Sequence, residues 1–232
     1  MARLYLFAEG QTEQTFADNL LKPHLAQHNV FMNKPVLIAH AKKKGRVHRR
    51  GGRNYAPMKS DITRFLKQDQ AQNAFFTTMI DLYAIHPDFP GLAEAEYMRQ
   101  DPFERVSFLE EKFSEDIGDQ RFIPYIQLHE YEAYLFSELT CFEYLGAESK
   151  QEVETLQATV SQYETPELIN DGPQTAPSKG IIAQFPDYGR AKSTFGPQLA
   201  EKIGLQSIRN RCLHFHEWLT KLESLDGQSV GR

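Results

Sequence analysis

The stretch from Leu4 to Glu13, which reads LYLFAEGQTE, decides the fold. Its first four residues form a short apolar run that stops at Glu9-Gly10, a pattern typical of a buried strand that ends in a turn. Thr12 is placed to cap a following helix, and Glu13 falls in the first turn of that helix, beside the positive end of its dipole. The stretch therefore predicts a strand, a turn and a helix, with two carboxylates close to the turn.

The alternation of strand and helix continues along the chain. Further strands are predicted at residues 36–39, 75–80 and 122–128, and further helices at 58–68, 103–116, 130–145, 150–163 and 205–223. Such alternation predicts an α/β fold, with a mainly parallel sheet flanked by helices. We expect one continuous domain in which residues 1–138 form the α/β core and residues 139–232 form a mainly helical C-terminal part packed on that core.

Acidic residues follow three of the predicted strands. Glu9 and Glu13 follow the first strand, Asp81 follows the strand at 75–80, and Glu130 and Glu132 follow the strand at 122–128. The carboxyl ends of neighbouring parallel strands meet at one edge of an open sheet, where sites form. Carboxylates that meet there repel one another unless a cation lies among them, and hard oxygen ligands suit Mg²⁺ or Mn²⁺. Together the acids indicate a metal site, although each one alone is explained by a helix cap or a solvated turn.

Positive charge is concentrated in residues 42–53, which read KKKGRVHRRGGR. The whole chain has 26 Lys+Arg, 31 Asp+Glu and a formal net charge of −5, so a segment with seven basic residues and no acid is unusual. Its cations predict contacts to the phosphates of DNA or RNA, with Tyr55 available to stack on a base. These cations are Lys42, Lys43, Lys44, Arg46, Arg49, Arg50 and Arg53. The alternatives are a solvated loop or a contact to an acidic partner.

The composition excludes several classes of protein. No apolar run approaches the roughly 20 residues that span a bilayer, and the N-terminal stretch becomes acidic too soon for a signal peptide. The two cysteines, Cys141 and Cys212, give no disulfide framework. We therefore expect a cytoplasmic protein that does not associate with a membrane.

Four segments together resemble a known family. They are AEGQTEQTF at 8–16, IDLYAIHPDFPG at 80–91, HEYEAYLFS at 129–137 and APSKGI at 176–181. The strand that leads into Glu-Gly and a second glutamate resembles the Toprim fold, and in particular the OLD-like Toprim nucleases. Over nearly the whole chain, the segments resemble an uncharacterised Toprim-like family, number 4276 among the domains of unknown function. The resemblance implies a Toprim-like α/β fold and a divalent-metal-dependent nuclease that cleaves DNA or RNA.

The resemblance also implies roles for single residues. Glu9 matches the Toprim glutamate that acts as a metal ligand or general acid/base, and Glu13 matches a second glutamate one helical turn later. Asp81 matches the first aspartate of the Toprim Asp-x-Asp pair. Tyr83 stands at the second position of that pair, which leaves both a one-metal and a two-metal site open.

The last acids and a late lysine complete the implied site. Glu130 and Glu132 match the further acid that OLD-like enzymes take from the next strand end. On an extended segment the two side chains share one face, whereas on a helix they diverge by about 200° and only one can be a ligand. Lys179 and Lys192 are both candidates for the catalytic lysine near the scissile phosphate, with an ordinary surface lysine as the alternative for each.

The resemblance implies a partner as well. OLD-like nucleases work with an ABC-type ATPase, either fused or encoded separately, and this chain has no phosphate-binding motif of the form G-x-x-x-x-G-K-[ST]. A separate ATPase chain and a role in phage defence are therefore implied. The alternative is a non-catalytic Toprim-like module that binds nucleic acid or regulates the ATPase.

Overall fold

The computed structural model describes residues 1–38, 55–146, 150–169 and 176–227. In these residues one sheet has the order β2-β1-β4-β5, with β3 also paired to β1 and β6 also paired to β4. Every pairing in this sheet is parallel. The strands are β1 (Ala2–Ala8), β2 (Val30–Met32), β3 (Val36–Leu37), β4 (Ala74–Asp81), β5 (Phe122–Ile123) and β6 (Ile126–Gln127).

The two outer positions of the sheet are each filled by a pair of short strands. β2 and β3 lie successively along one side of β1, while β5 and β6 lie successively along the far side of β4. Pro35 and Pro124 fall between the members of these pairs, where proline removes a backbone donor from the ladder. The strand predicted at 122–128 is therefore divided in two, and β2 was not predicted.

Successive residues of the central strands divide between two hydrophobic cores. Leu4 and Leu6 belong to one buried cluster, whereas Phe7 belongs to a second cluster together with Ile62 and Leu109. This division follows from the strand geometry, because neighbouring side chains point to opposite faces of a sheet. The second cluster is covered by α3 (Ala56–Gln68) and α5 (Pro102–Ile117), with the short α4 (Leu92–Ala95) beside them.

The first cluster is covered by both ends of the chain. At the N-terminal end, α1 (Gln11–Phe16) continues through a π-helical turn (Ala17–Leu21) into α2 (Lys22–Ala26). From residue 131 onwards, the described residues form the 3-10 helices Tyr131–Ser137, Leu139–Leu145, Pro166–Leu168 and Leu225–Gly227, and the helices α6 (Lys150–Val160), α7 (Pro177–Gln184), α8 (Pro186–Arg190), α9 (Lys192–Ile203), α10 (Leu205–Arg211) and α11 (Leu213–Glu223). Their buried residues join those of the sheet in one cluster, so the predicted boundary at residue 138 crosses a shared core.

A glycine allows α9 to approach α1 and the segment after β6. A β-carbon at Gly196 would lie 3.2 Å from side-chain atoms of Thr12, Tyr131 and Tyr188. Such contacts are tighter than packed side chains normally make, so a larger residue would push α9 away. Gly196 therefore holds the N-terminal end of α9 against the elements that follow β1 and β6.

The helix predicted at residues 205–223 is two helices, because the chain is extended at Cys212. Glu167 is fully buried and accepts hydrogen bonds from the backbone N–H groups of His214 and Phe215, each at 3.0 Å. The first N–H groups of a helix lack partners within the helix, so this carboxylate stabilises the start of α11. The prediction of one continuous helix was wrong because this cap comes from a distant segment.

The predicted fold class is confirmed: the sheet is parallel, helices flank it and the C-terminal part is helical. Among the described residues, no helix combines the length and the apolar character needed to cross a membrane.

Candidate functional site

Two of the predicted acids, Glu9 and Asp81, meet at the carboxyl ends of β1 and β4. The register pairs Ala8 with Met79, so the residues that follow β1 lie beside the last residues of β4. Glu9 donates its backbone N–H to the Met79 carbonyl oxygen at 3.0 Å, and its Oε2 accepts from the Asp81 backbone N–H at 2.9 Å. The sheet therefore brings Glu9 and Asp81 together as predicted.

Glu13 turns back towards the strand end. Its Oε2 accepts a hydrogen bond from the Gly10 backbone N–H at 2.8 Å, which makes Glu13 the capping residue of α1. A β-carbon at Gly10 would lie 2.9 Å from that oxygen, so the glycine is needed for the close approach. Thr12 was predicted as the cap, and that prediction was wrong because α1 begins at Gln11 with Gly10 as its N-cap, so Thr12 lies within the first turn.

Asp81 lies where the other carboxylates converge. Its Oδ1 atom is buried and has no hydrogen-bond partner among the described residues, although the residue as a whole is only half-buried. Burial raises the pKa of Asp81 well above its ordinary value, and repulsion from the surrounding acids raises it further. Those acids are Glu9, Glu13, Glu132 and Glu130, in decreasing order of effect. We refer to these four residues and Asp81 as the acidic cluster.

Glu130 and Glu132 reach the acidic cluster from the segment after β6. His129 has a φ of 61°, which turns the chain, and Glu130 then has extended backbone geometry. The Oε2 of Glu130 accepts from the Ser178 backbone N–H, in the first turn of α7, at 3.0 Å. Glu132 lies in a 3-10 helix, and its Oε1 accepts from the Tyr188 hydroxyl at 3.2 Å. The two acids therefore contact different helices, and both still act on Asp81.

Burial and mutual repulsion disfavour simultaneous ionisation of several carboxylates in the acidic cluster. Burial, followed by repulsion from Glu9, raises the pKa of Glu13 to about 8. Burial also raises the pKa of Glu132, and the nearby Lys192 ammonium partly opposes that rise. In the described residues, the group of three metal-ligating side chains whose ligand atoms all lie within 4.8 Å of one another is elsewhere, so no three carboxylates of the acidic cluster lie that close together.

The two candidate lysines are placed differently. Lys192 begins α9, and its Nζ lies 3.2 Å from Glu132 Oε1. Lys179 lies in the first turn of α7, and its side chain is exposed. Of the two, Lys192 is the one that the structure brings into direct contact with the acidic cluster.

Two tyrosines of the site were not predicted. Tyr188 donates to Glu132, and the hydroxyl of Tyr131 is buried without a hydrogen-bond partner among the described residues. Burial, followed by the negative charge of Glu13 and Glu132, raises the pKa of Tyr131. The position of Tyr131 between Glu130 and Glu132 was a signal that it lies at the site. For Tyr188, the one signal was its closeness in sequence to Lys192.

Tyr83 occupies the position at which a second aspartate was considered. Its side chain is 40% exposed, and its ring lies 5.5 Å from that of His129, at an angle of 41° between the planes. Its backbone N–H donates to the His129 carbonyl oxygen at 3.3 Å. The aromatic ring therefore lies at the exposed rim of the strand ends that carry Asp81 and Glu130.

The basic residues predicted to bind nucleic acid, Lys42, Lys43, Lys44, Arg46, Arg49, Arg50 and Arg53, lie outside the described residues. Tyr55 is described, and it is buried in the second hydrophobic cluster. Its hydroxyl donates to Asp116 Oδ2 at 2.7 Å, and its backbone N–H donates to Asp88. The prediction that Tyr55 stacks on a base was wrong, because these contacts and burial enclose the ring.

Comparison with known proteins gives one family and one solved structure. The family model described as "Domain of unknown function (DUF4276)" matches residues 8–223. The C-terminal region of the Xanthomonas campestris pv. campestris OLD protein matches with 11% sequence identity and a TM-score of 0.42, over 97% of this chain and 95% of that one. None of the curated proteins matches.

The raised pKa of Glu13 predicts how stability depends on pH. Its folded pKa of about 8 exceeds the ordinary value of 4.5, so the folded protein keeps a proton that the unfolded chain releases between these values. The unfolded state binds fewer protons there, and the free energy of unfolding must fall as pH rises through this interval. The raised pKa of Asp81 acts in the same direction. We expect Glu13→Gln, which keeps an oxygen for the Gly10 N–H, to show a smaller fall than the wild type.

Urea unfolding at pH steps from 5 to 8 in the presence of EDTA, followed by the fluorescence of Trp218, measures this difference. Glu154→Gln is the matched control, because Glu154 is an exposed acid on α6. Parallel curves for wild type and Glu13→Gln would contradict the prediction.

Proposed function

The chain belongs to the family described as a domain of unknown function (DUF4276), and we propose that it is a divalent-metal-dependent phosphodiesterase that cleaves DNA or RNA. The observation that carries the proposal is the hydrogen bond that sets Glu9 against the Asp81 backbone N–H at the carboxyl ends of β1 and β4, with Glu13 following β1 and Glu130 and Glu132 following β6. The carboxyl ends of the strands are the usual place for a site in an open α/β sheet.

The acidic cluster fits a divalent cation by the chemistry of its donors. All five side chains offer carboxylate oxygens, the ligand type that Mg²⁺ and Mn²⁺ prefer. Glu9, Glu13 and Glu130 each use Oε2 in a hydrogen bond to a backbone N–H, and the buried Asp81 Oδ1 has no such partner among the described residues. A bound cation offsets the repulsion that raises the pKa of these acids. We propose Glu9, Glu13, Asp81, Glu130 and Glu132 as its ligands.

Glu9 and Lys192 each have a task in the proposed site that their contacts support. When bound, a divalent cation polarises a phosphodiester and lowers the pKa of a water molecule. Glu9 is held by the Asp81 backbone N–H, which orients it as a ligand or a general acid/base. Lys192, placed beside Glu132, supplies positive charge for the additional negative charge of the transition state.

The nucleic-acid substrate is supported by the sequence of the basic segment. Residues 42–53 hold seven of the 26 basic residues of a chain whose net charge is −5. In sequence, four residues separate the segment from the end of β3, which pairs with the end of β1 where Glu9 begins the site. We propose that the segment binds the phosphate backbone while the acidic cluster acts on one phosphodiester. By the Toprim resemblance, we also propose a separate ABC-type ATPase partner and a role in phage defence.

One observation favours a second candidate function. Tyr83 stands where the Toprim pattern has its second aspartate, and a phenol that is neutral at pH 7 is a weaker ligand for Mg²⁺ than an ionised carboxylate. A chain that had lost catalysis would keep the fold and act as a nucleic-acid-binding or ATPase-regulating module.

Cleavage assays with Mg²⁺ or Mn²⁺ on single-stranded and double-stranded DNA and RNA test the first candidate. We expect Glu9→Gln and Asp81→Asn each to lower the cleavage rate by about 100-fold or more, because each removes a negative charge that holds the cation. The control Glu154→Gln should cleave like the wild type. Equal rates in all four proteins would reveal a contaminating nuclease and overturn the proposal.

Calorimetric titration with Mn²⁺ separates the two candidates. The enzyme is supported if the wild type binds Mn²⁺ and shows metal-dependent cleavage, and if Asp81→Asn abolishes the Mn²⁺ binding. Binding of Mn²⁺ and nucleic acid without cleavage, in the presence and absence of ATPase partner, supports the non-catalytic module. Failure to bind Mn²⁺ at millimolar concentration overturns the metal site itself.

The same assay distinguishes the two lysines. We expect Lys192→Gln to lower kcat by about 100-fold, since positioned charges and proton-transfer groups contribute on this scale. Lys179→Gln should cause a smaller loss, because its exposed side chain makes no contact with the acidic cluster in the described part of the chain. Nucleic-acid affinity measured with Ca²⁺ should stay similar in both variants. A larger loss of kcat for Lys179→Gln would assign the catalytic role to Lys179 instead.

The salt dependence of binding tests the basic segment. We expect replacement of Arg49, Arg50 and Arg53 by alanine to weaken binding to duplex DNA. The slope of log K against log salt should decrease by up to about 3, at roughly 0.9 for each phosphate that the variant no longer neutralises. The matched control replaces three exposed cations, Lys67, Lys150 and Lys221, and thus changes the net charge equally. Equal slopes in the two triple variants would show that the effect comes from net charge alone.

A further inference from the structure

A second set of metal-ligating side chains lies between the N-terminal and C-terminal helices. His24 is in the last turn of α2, His28 follows in the turn after this helix, and Glu223 is the last residue of α11. One ligand atom from each of the three lies within 4.8 Å of the others. None of these residues belongs to the acidic cluster.

The distances suit a small tetrahedral ion. His24 Nε2 is 2.6 Å from Glu223 Oε1, and His28 Nε2 is 3.8 Å from the same oxygen. Two ligand atoms that bind one Zn²⁺ at 2.0–2.1 Å in tetrahedral geometry stand about 3.3 Å apart, between these two values. Small rotations of the two imidazoles therefore suffice to equalise the separations.

The carboxylate of Glu223 is already oriented. Arg209 donates to its two oxygens, from Nη1 to Oε1 at 2.5 Å and from Nη2 to Oε2 at 2.8 Å. The Glu223 carboxylate is therefore held in one orientation between Arg209 and His24. Hydrogen-bonded carboxylates of this kind are common among metal ligands, because the second contact fixes the orientation.

The side chains are also accessible. The exposed fractions are 27% for His24, 40% for His28 and 12% for Glu223. Two histidines four residues apart project from one side of a helical turn, and their rings lie with centroids 5.0 Å apart. An ion can therefore reach the site from solvent and keep a water as a fourth ligand.

We propose that His24, His28 and Glu223 form a Zn²⁺ site that joins the end of α2 to the end of α11. Imidazole nitrogen suits Zn²⁺, whereas the oxygen-only acidic cluster suits Mg²⁺ or Mn²⁺. The positive charge of Arg209 opposes a second cation, so we expect binding at micromolar rather than nanomolar concentrations. The ion links the two ends of the described chain and stabilises the folded state.

Titration of the metal-free full chain with Zn²⁺ in excess Mg²⁺ tests the proposal. We expect one equivalent to bind at micromolar concentration and to raise the Tm. Co²⁺, used as a probe, should give the visible absorption of a tetrahedral site. The variant His24→Gln/His28→Gln should lose both effects while its Tm without metal stays close to that of the wild type, since a glutamine amide can still donate to Glu223.

Two further variants locate the ion. Cys141→Ser should bind like the wild type, which excludes the half-buried thiol as the ligand. Asp81→Asn should also bind like the wild type, which keeps this site separate from the acidic cluster. Equal uptake by the wild type and the double histidine variant would overturn the proposal, as would no uptake by the wild type at 100 µM Zn²⁺. A loss of uptake in Asp81→Asn would move the ion to the acidic cluster and overturn it too.

Discussion

The parallel pairing of β1 with β4 is the constraint on which the rest of the structure depends. The two strands pair along six positions, from Arg3 with Ala74 to Ala8 with Met79. This register sets Glu9 against the backbone of Asp81, and a shift of one residue would turn every side chain of the strand to the other face. The buried clusters on both faces oppose such a shift, so the core that stabilises the fold also positions the acids.

Burial of the acidic cluster costs free energy, because charged carboxylates lose their hydration. The helices that cover the first cluster withdraw Glu13 and Glu132 from water, and their pKa values rise because a buried charge loses its hydration. The Gly10 N–H offsets part of this cost for Glu13, and the Tyr188 hydroxyl and the Lys192 ammonium do so for Glu132. Without a metal, protons relieve the repulsion at the strand ends, because the pKa values of Glu13 and Asp81 are raised, and the proposed cation would take the place of those protons.

The sequence predicted features that depend on local pattern, and it missed those that depend on distant contacts. Glu9 and Asp81 were found because each follows an apolar strand, and parallel strands carry such residues to one edge. The contact of Glu132 with Tyr188 joins segments 56 residues apart, and no pattern within either segment indicates it. The division of the C-terminal helix at Cys212 depends on Glu167 in the same way.

Tyr55 illustrates the opposite error. A basic segment followed by an aromatic residue is a pattern typical of a nucleic-acid contact. The pattern does not show whether the aromatic ring is buried. Asp116 and Asp88, which accept its hydrogen bonds, lie 61 and 33 residues away in sequence. Tyr83 is the exposed aromatic ring beside the site, and the Toprim pattern drew attention to it as a missing aspartate rather than as a ring.

The two proposed metal sites differ in ligand chemistry, and we expect that difference to give each site a preference for a different ion. At most sites with nitrogen or oxygen ligands, Zn²⁺ binds more tightly than Mn²⁺, so carboxylates alone do not exclude it. On our proposal, two imidazoles give the junction of α2 and α11 a preference for Zn²⁺ that the acidic cluster lacks. The oxygen-only ligands of the acidic cluster suit Mg²⁺ or Mn²⁺ instead. Chemistry at the strand ends and stabilisation at the chain ends can therefore draw on different ions within one fold.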